Sequence, residues 1–154
     1  MSDFFTLKLL LLLLTSAFGS MGFAIIYRVA VKYLVWAAIG GALTYLVYHT
    51  LAFFDMGVFA AALLSSAFSA LFSEIFAKIK KAPVSVFLLP CAIPIVPGSA
   101  LYYTMANFIS HDFSAASHYL NQTLAIGLGI AAGFVLVPIV WQLCSGALTY
   151  FRAK

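Results

Sequence analysis

Charge is what this chain has least of. Eight Lys and Arg with four Asp and Glu make up 8% of its 154 residues, where a soluble domain carries about a quarter to hold its surface in water. A water-soluble globular protein is thereby excluded. Hydrophobic residues make up 65% of the chain and the mean hydropathy is +1.11. At about 20 apolar residues per bilayer crossing, almost nothing is left for a catalytic or nucleic-acid-binding module outside the lipid. The net charge of +4 is no nucleic-acid footprint, because the cations stand scattered between apolar runs and form no stripe along a phosphate backbone. Cysteine is nearly absent. Cys91 and Cys144 both lie inside apolar runs, so neither a disulfide framework nor a zinc site is indicated, and no cofactor is implied.

What is present is a series of continuous apolar runs, at residues 9–27, 33–54, 58–77, 83–109 and 120–143. Each is long enough to cross hydrocarbon as a helix, and none alternates as a barrel strand would. The expected fold class is all-α integral membrane, a single transmembrane domain over residues 1–154 with about five transmembrane helices. The short connections sort their charge by side. Arg28 and Lys32, then Lys78, Lys80 and Lys81, then Arg152 and Lys154 fall at one end; Lys8 falls at the other, with Asp3, Asp55 and the stretch holding His111, Asp112 and His118. Seven cations against one place the N-terminus outside and the C-terminus in the cytoplasm. Lys8, the run Leu9 to Leu14 and the small residues Ala17 and Gly19 imitate a signal peptide. Cleavage there would reverse the charge bias, so the first span is expected to remain.

Tyr27, Tyr33 and Trp36 flank the first cytoplasmic connection, and Tyr45 and Tyr48 approach the opposite interface, as aromatic anchors do. Small residues recur at Ala62, Ser66, Ser69 or Ala70 and Ser73, and again at Gly127 and Ala131 with Gly129 and Gly133. Such spacing lets helix backbones approach closely, within this bundle or between subunits of an oligomer.

Four of the five prolines fall in residues 82–105. Pro90, Pro94 and Pro97 should break the fourth span, since each interior proline removes an N–H and clashes with the preceding turn. Irregular backbone at membrane depth belongs against protein or a wet cavity. Pro97, Gly98 and Ser99 resemble a helix restart. Its positive end would point back at the break and suit a carboxylate, as discontinuous helices do in secondary transporters. The alternative is a kinked helix that only shapes packing. Ser99, Tyr102, Tyr103, Thr104 and Asn107 add polar groups that packing alone would not need, although Tyr102 and Tyr103 also fit as anchors.

Ionisable residues within spans are few and usually functional. Glu74 stands four residues before Lys78, the spacing of a helix-end ion pair; the other reading is a proton-titrating carboxylate that couples transport to a proton gradient. Asp55 reads as a turn residue beside Gly57. His111, Asp112 and His118 read as solvated loop residues, without a fourth ligand for a metal. No Ser/His pair or paired carboxylates share a membrane depth, so an enzyme is not expected.

Residues 81–103, KAPVSVFLLPCAIPIVPGSALYY, together with GFAIIYRVA at 22–30 and AIGGAL at 38–43, resemble the threonine/serine exporter family, and within it the small, separately encoded membrane subunit of bacterial two-component exporters. The family pattern leads one to expect Asn and Pro in the stretch 27–30, where Arg28 and Ala30 stand. The resemblance implies a proton-linked exporter of small carboxylates in the bacterial inner membrane, with threonine, serine or dicarboxylates such as succinate as solutes. It also implies a larger partner subunit, to which the small one is fused in single-chain relatives. Its motif positions here are Pro83, Pro90, Pro94, Pro97, Gly98, Ser99 and Tyr102. The competing expectation is an assembly subunit that stabilises a transporter without touching solute.

Overall fold

In the computed structural model of the protein, residues 2–152 are described, with side chains from 7 to 143; Lys154 and the side chains of Asp3, Cys144 and Arg152 lie outside the described residues. Six helices follow in order: α1 (Ser2–Ile26), α2 (Val31–Phe53), α3 (Val58–Lys80), α4 (Ser85–Ala92), α5 (Gly98–Ile109) and α6 (Phe113–Arg152), with a 3-10 turn at Ile93–Ile95 between α4 and α5. Among the described residues four helices are long and apolar enough to cross a membrane, over Leu7–Ile26, Val31–Phe53, Val58–Lys80 and Phe113–Leu143, and the bent pair α4 and α5 passes the same test when its two arms are taken together, as a broken span or a re-entrant loop. The all-helical, polytopic class holds.

Four helices end in the same way. The N–H of Val29 donates to Ala24 O and that of Arg28 to Ile25 O, both at 2.9 Å. Equivalent bond pairs close α2 at Asp55 and Met56, α3 at Lys81 and Ala82, and α5 at His111 and Asp112. This is the Schellman arrangement, which turns on one residue in the left-handed region. Here those residues are Arg28, Asp55, Lys81 and His111, with φ of 54°, 55°, 52° and 60°. None is glycine, so each turn carries Cβ strain of about 1–2 kcal/mol.

One end of the bundle gathers the cations. The Tyr33 hydroxyl donates to Lys80 O at 3.3 Å. The Lys32, Lys80 and Lys78 ammonium groups lie 4.8, 4.5 and 4.4 Å from the ring centres of Tyr33, Trp36 and Trp141. We call this the Lys81 end, and the other, with the 54–57 and 110–112 turns, the Asp55 end.

Helices meet across small residues. A Cβ at Gly129 would stand 2.8 Å from Phe59 O and 2.9 Å from the Ala62 Cβ, and one at Gly133 would strike Ser66 Oγ. The α3–α6 seam therefore uses Gly129 and Gly133, whereas Gly127 faces open space. On α2, Gly41 abuts Ser20 of α1, and Gly40 abuts Cys91 of α4 and Phe72 of α3. Phe87 is fully buried in the middle of this arrangement, with Tyr33 against its ring at 5.5 Å. Internal packing thus accounts for most of the small-residue spacing.

The sequence reading is corrected at two places. The last span begins at Phe113 rather than 120, so the loop is 110–112 and His118 sits on α6. Asp112 explains this, since its Oδ1 accepts from the Ala115 N–H at 3.0 Å and caps the helix. Pro90 does not interrupt the fourth span, but lies inside α4, where the helix tolerates one lost bond. The chain leaves the helix further on. The Ile93 N–H donates to Pro90 O, the 3-10 turn follows, and Val96 is extended at φ −62°, ψ 130°. Two prolines spaced by three residues, Pro94 and Pro97, leave no register for a continuous ladder, and α5 departs at 49°.

Candidate functional site

A cavity of about 380 Å³ opens at this bend, toward the Asp55 end. The break supplies Pro94, Ile95, Val96 and Pro97, and α5 supplies Ser99, Ala100 and Tyr103. Helix α2 contributes Tyr45 and Tyr48, and α6 contributes Tyr119, Gln122 and Ile126. Tyrosines 45 and 48, like residues 119 and 122, are three apart and so share a helix face. Tyr103 stacks on Tyr119, with ring centres 5.3 Å apart and 30° between planes. Four tyrosines and a glutamine therefore line a space whose lining contains no Asp, Glu, Lys, Arg or His.

The start of α5 adds directed polarity. No side chain caps it. The Leu101 N–H donates to Pro97 O at 3.0 Å and that of Gly98 to Val96 O at 2.8 Å. The N–H groups of Ser99 and Ala100 belong to the first turn, which has no intrahelical acceptor. With the partial positive charge of the helix end, they suit an anionic oxygen. Ser99 does not cap the helix; it is exposed and lines the cavity.

A second cavity of about 240 Å³ lies on the other side of Tyr45 and Pro94, between the break and Leu12, Thr15, Ser16 and Gly19 of α1. Tyr45 and Pro94 are thus a shared partition. The Thr15 and Ser16 hydroxyls donate back to Leu12 O and Leu13 O at 3.0 and 2.8 Å, which leaves their oxygen lone pairs free to accept.

Of the residues singled out in the sequence, the main cavity brings together Pro94, Pro97, Ser99 and Tyr103. Gly98 and Tyr102 are exposed and off its lining, and Pro90 is buried within α4. Glu74 is half-buried on α3 toward the Lys81 end, away from the cavity. The Lys78 ammonium is turned to the Trp141 ring, and no Glu74–Lys78 ion pair forms among the described residues. No group of three His, Cys, Asp or Glu able to hold a metal occurs among the described residues. Tyr45, Tyr48, Tyr119 and Gln122 were missed. The first two read as interfacial anchors, and their i, i+3 pairing was the available signal.

Comparison with known proteins follows the same lines. The family described as "Threonine/Serine exporter, ThrE" matches residues 12–140. An uncharacterized protein of Haemophilus influenzae is 27% identical over 151 residues, which takes in 97% of this chain and 50% of that protein. The chain spans about half the length of that curated relative. No solved structure matches it significantly. The family match runs from α1 through the broken span into α6, and the chain belongs to the threonine/serine exporter family.

Proposed function

We propose that this chain is the small membrane subunit of a secondary exporter of small carboxylates, acting with a larger partner subunit in a bacterial inner membrane. The observation that carries the reading is the cavity at the bend, where the uncapped start of α5 faces a wall of tyrosines. The solute carboxylate accepts from the Ser99 and Ala100 N–H groups and from the Ser99 hydroxyl. Pro97 and Gly98 set the direction of that helix end, and Tyr103, with Tyr102 beside it, flanks the solute. An amino-acid ammonium is served by tyrosine ring faces and the Gln122 carbonyl; the far end of a dicarboxylate is served by tyrosine hydroxyls. Threonine, serine and succinate all fit about 380 Å³.

The partner is argued from size. The relative is twice as long, and this chain aligns with half of it, as a separately encoded half of a fused transporter would. Five spans are few to enclose a solute path. The sorted cations put the Lys81 end in the cytoplasm and the cavity mouth outside. Proton linkage is assigned to Glu74, whose carboxylate is half-buried and lacks the Lys78 partner.

Efflux from cells lacking this chain, its partner, or both tests the proposal. Loss of threonine, serine or succinate efflux in each of the three strains is the expected result; unchanged efflux and accumulation in all three sinks it. The second reading, an assembly subunit, is favoured by an apolar groove of about 570 Å³ between Phe68 and Leu71 of α3 and Leu136, Val140 and Trp141 of α6. The Trp141 indole N–H is buried there without an acceptor. On that reading, Pro97→Ala and Ser99→Ala alter export only in proportion to partner abundance.

A further inference from the structure

Lys8 breaks the charge sorting. Seven of the eight Lys and Arg fall on one side of the sequence topology and Lys8 falls on the other, where a cation works against the orientation bias. Its surroundings suggest what it does there. Lys8, Leu9 and Leu12 of α1 and His49 of α2 enclose a cleft of about 90 Å³ at the Asp55 end, the volume of about three waters and enough for a carboxylate group. Leu12 also lines the 240 Å³ cavity, whose far wall is Tyr45 and Pro94, and those two residues in turn wall the cavity at the bend. His49 stacks on Tyr45, with ring centres 6.1 Å apart and planes within 12°. Three spaces therefore stand in series, from the helix break to the Lys8 cleft, with one shared residue or pair between each.

We infer that Lys8 and His49 form a second carboxylate-binding site at the mouth of this series, where a solute that has passed Tyr45 docks before it is released. The inference rests on the transport reading above and adds a second station to it. The chemistry is complementary. The Lys8 ammonium offers three donors and a full charge, and the His49 ring offers an N–H in either protonation state. Charge-assisted bonds of this kind are shorter and stronger than neutral ones. The two cavities differ in kind, because the bend has no charged side chain and the cleft has one. Solute would be held at the bend by dipoles and at the cleft by a charge, two stations of different chemistry along one path. The His49–Tyr45 stack links occupancy of the cleft to the partition, since a solute drawn against His49 bears on the ring that separates the inner spaces.

The test uses cells that carry the full chain with its partner and are preloaded with labelled threonine or, separately, labelled succinate. They are diluted into rising concentrations of the same unlabelled solute, and the external concentration for half-maximal exchange reads the outer site. In the double variant Lys8→Gln, His49→Gln this concentration should rise about tenfold, the size of one charge-assisted bond, while Lys8→Arg stays near the parent. Lys8→Gln alone alters an exposed position and should give a rise of about threefold at unchanged abundance, so the test survives poor folding of the double variant. Exchange by the parent with no rise in any Lys8 or His49 variant overturns this inference alone. No exchange by the parent with either solute overturns the transport reading and this one with it.

Discussion

Tyr103 of α5 stacks on Tyr119 of α6, ring centres 5.3 Å apart, and this contact joins the longer arm of the broken span to the longest helix. Both rings line the cavity at the bend. The hydroxyl and the ring can be separated by substitution. Tyr103→Phe keeps the stack and removes one donor, so the subunit should reach normal abundance while the apparent KM for efflux rises about fivefold, of the order of one neutral hydrogen bond. Tyr103→Ala removes both, and should also lower thermal stability by about 1–3 kcal/mol. Efflux kinetics and melting of the detergent-purified protein separate the two. A Tyr103→Phe variant with parental KM would remove this hydroxyl from the solute's contacts.

The glycines divide by what stands opposite them. A methyl on Gly41 collides with Ser20 Oγ, and one on Gly133 with Ser66 Oγ and the α3 backbone, whereas one on Gly98 meets nothing within 4 Å. Gly41→Ala and Gly133→Ala should therefore cost about 1–3 kcal/mol through overpacking and lower membrane abundance. Gly98→Ala should leave abundance unchanged or slightly raised, because alanine suits a helix better. Its efflux should also be near parental, since Gly98 is off the cavity lining. Full abundance with efflux lost would show instead that solute approaches the Gly98 backbone closely.

The turn between α1 and α2 bears on stability and on the family pattern together. Arg28 has φ 54°, a conformation that Asn adopts more readily than Arg. Ala30 has φ −58° and ψ 138°, the backbone of a proline. The expected Asn and Pro of this stretch thus have a physical use, which Arg28 and Ala30 forgo. Arg28→Asn and Ala30→Pro should each raise stability by about 0.5–1 kcal/mol, seen as a higher melting temperature of the purified subunit, with efflux preserved. A melting temperature that falls on Ala30→Pro would mean that the Ala30 N–H has a partner the proline removes.

These cases also show which parts of the molecule a sequence reader can reach. Spans and class followed from apolar length, because lipid leaves helices as the economical way to satisfy so much backbone. The break followed from Pro94 and Pro97, whose effect is local. Pro90 was misjudged because one lost bond can be absorbed inside α4. His118 was placed in a loop on its polarity, although Asp112 already marked the start of α6. The far wall of the cavity was out of reach for a different reason. Tyr45, Tyr48, Tyr119 and Gln122 face the break because α2 and α6 are its neighbours, and helices apolar all round carry no stripe that says which face turns inward.

Glu74 completes the set. It is half-buried toward the Lys81 end of α3, and the cation four residues on is engaged with Trp141 at 4.4 Å. On the transport reading proposed above, Glu74 is the candidate for proton coupling. Glu74→Gln keeps the shape and removes the titration, so the complex should assemble at normal abundance while efflux loses its dependence on external and internal pH. Efflux from preloaded cells across a range of imposed pH gradients checks this. If pH dependence survives at full abundance, the coupling group is not Glu74.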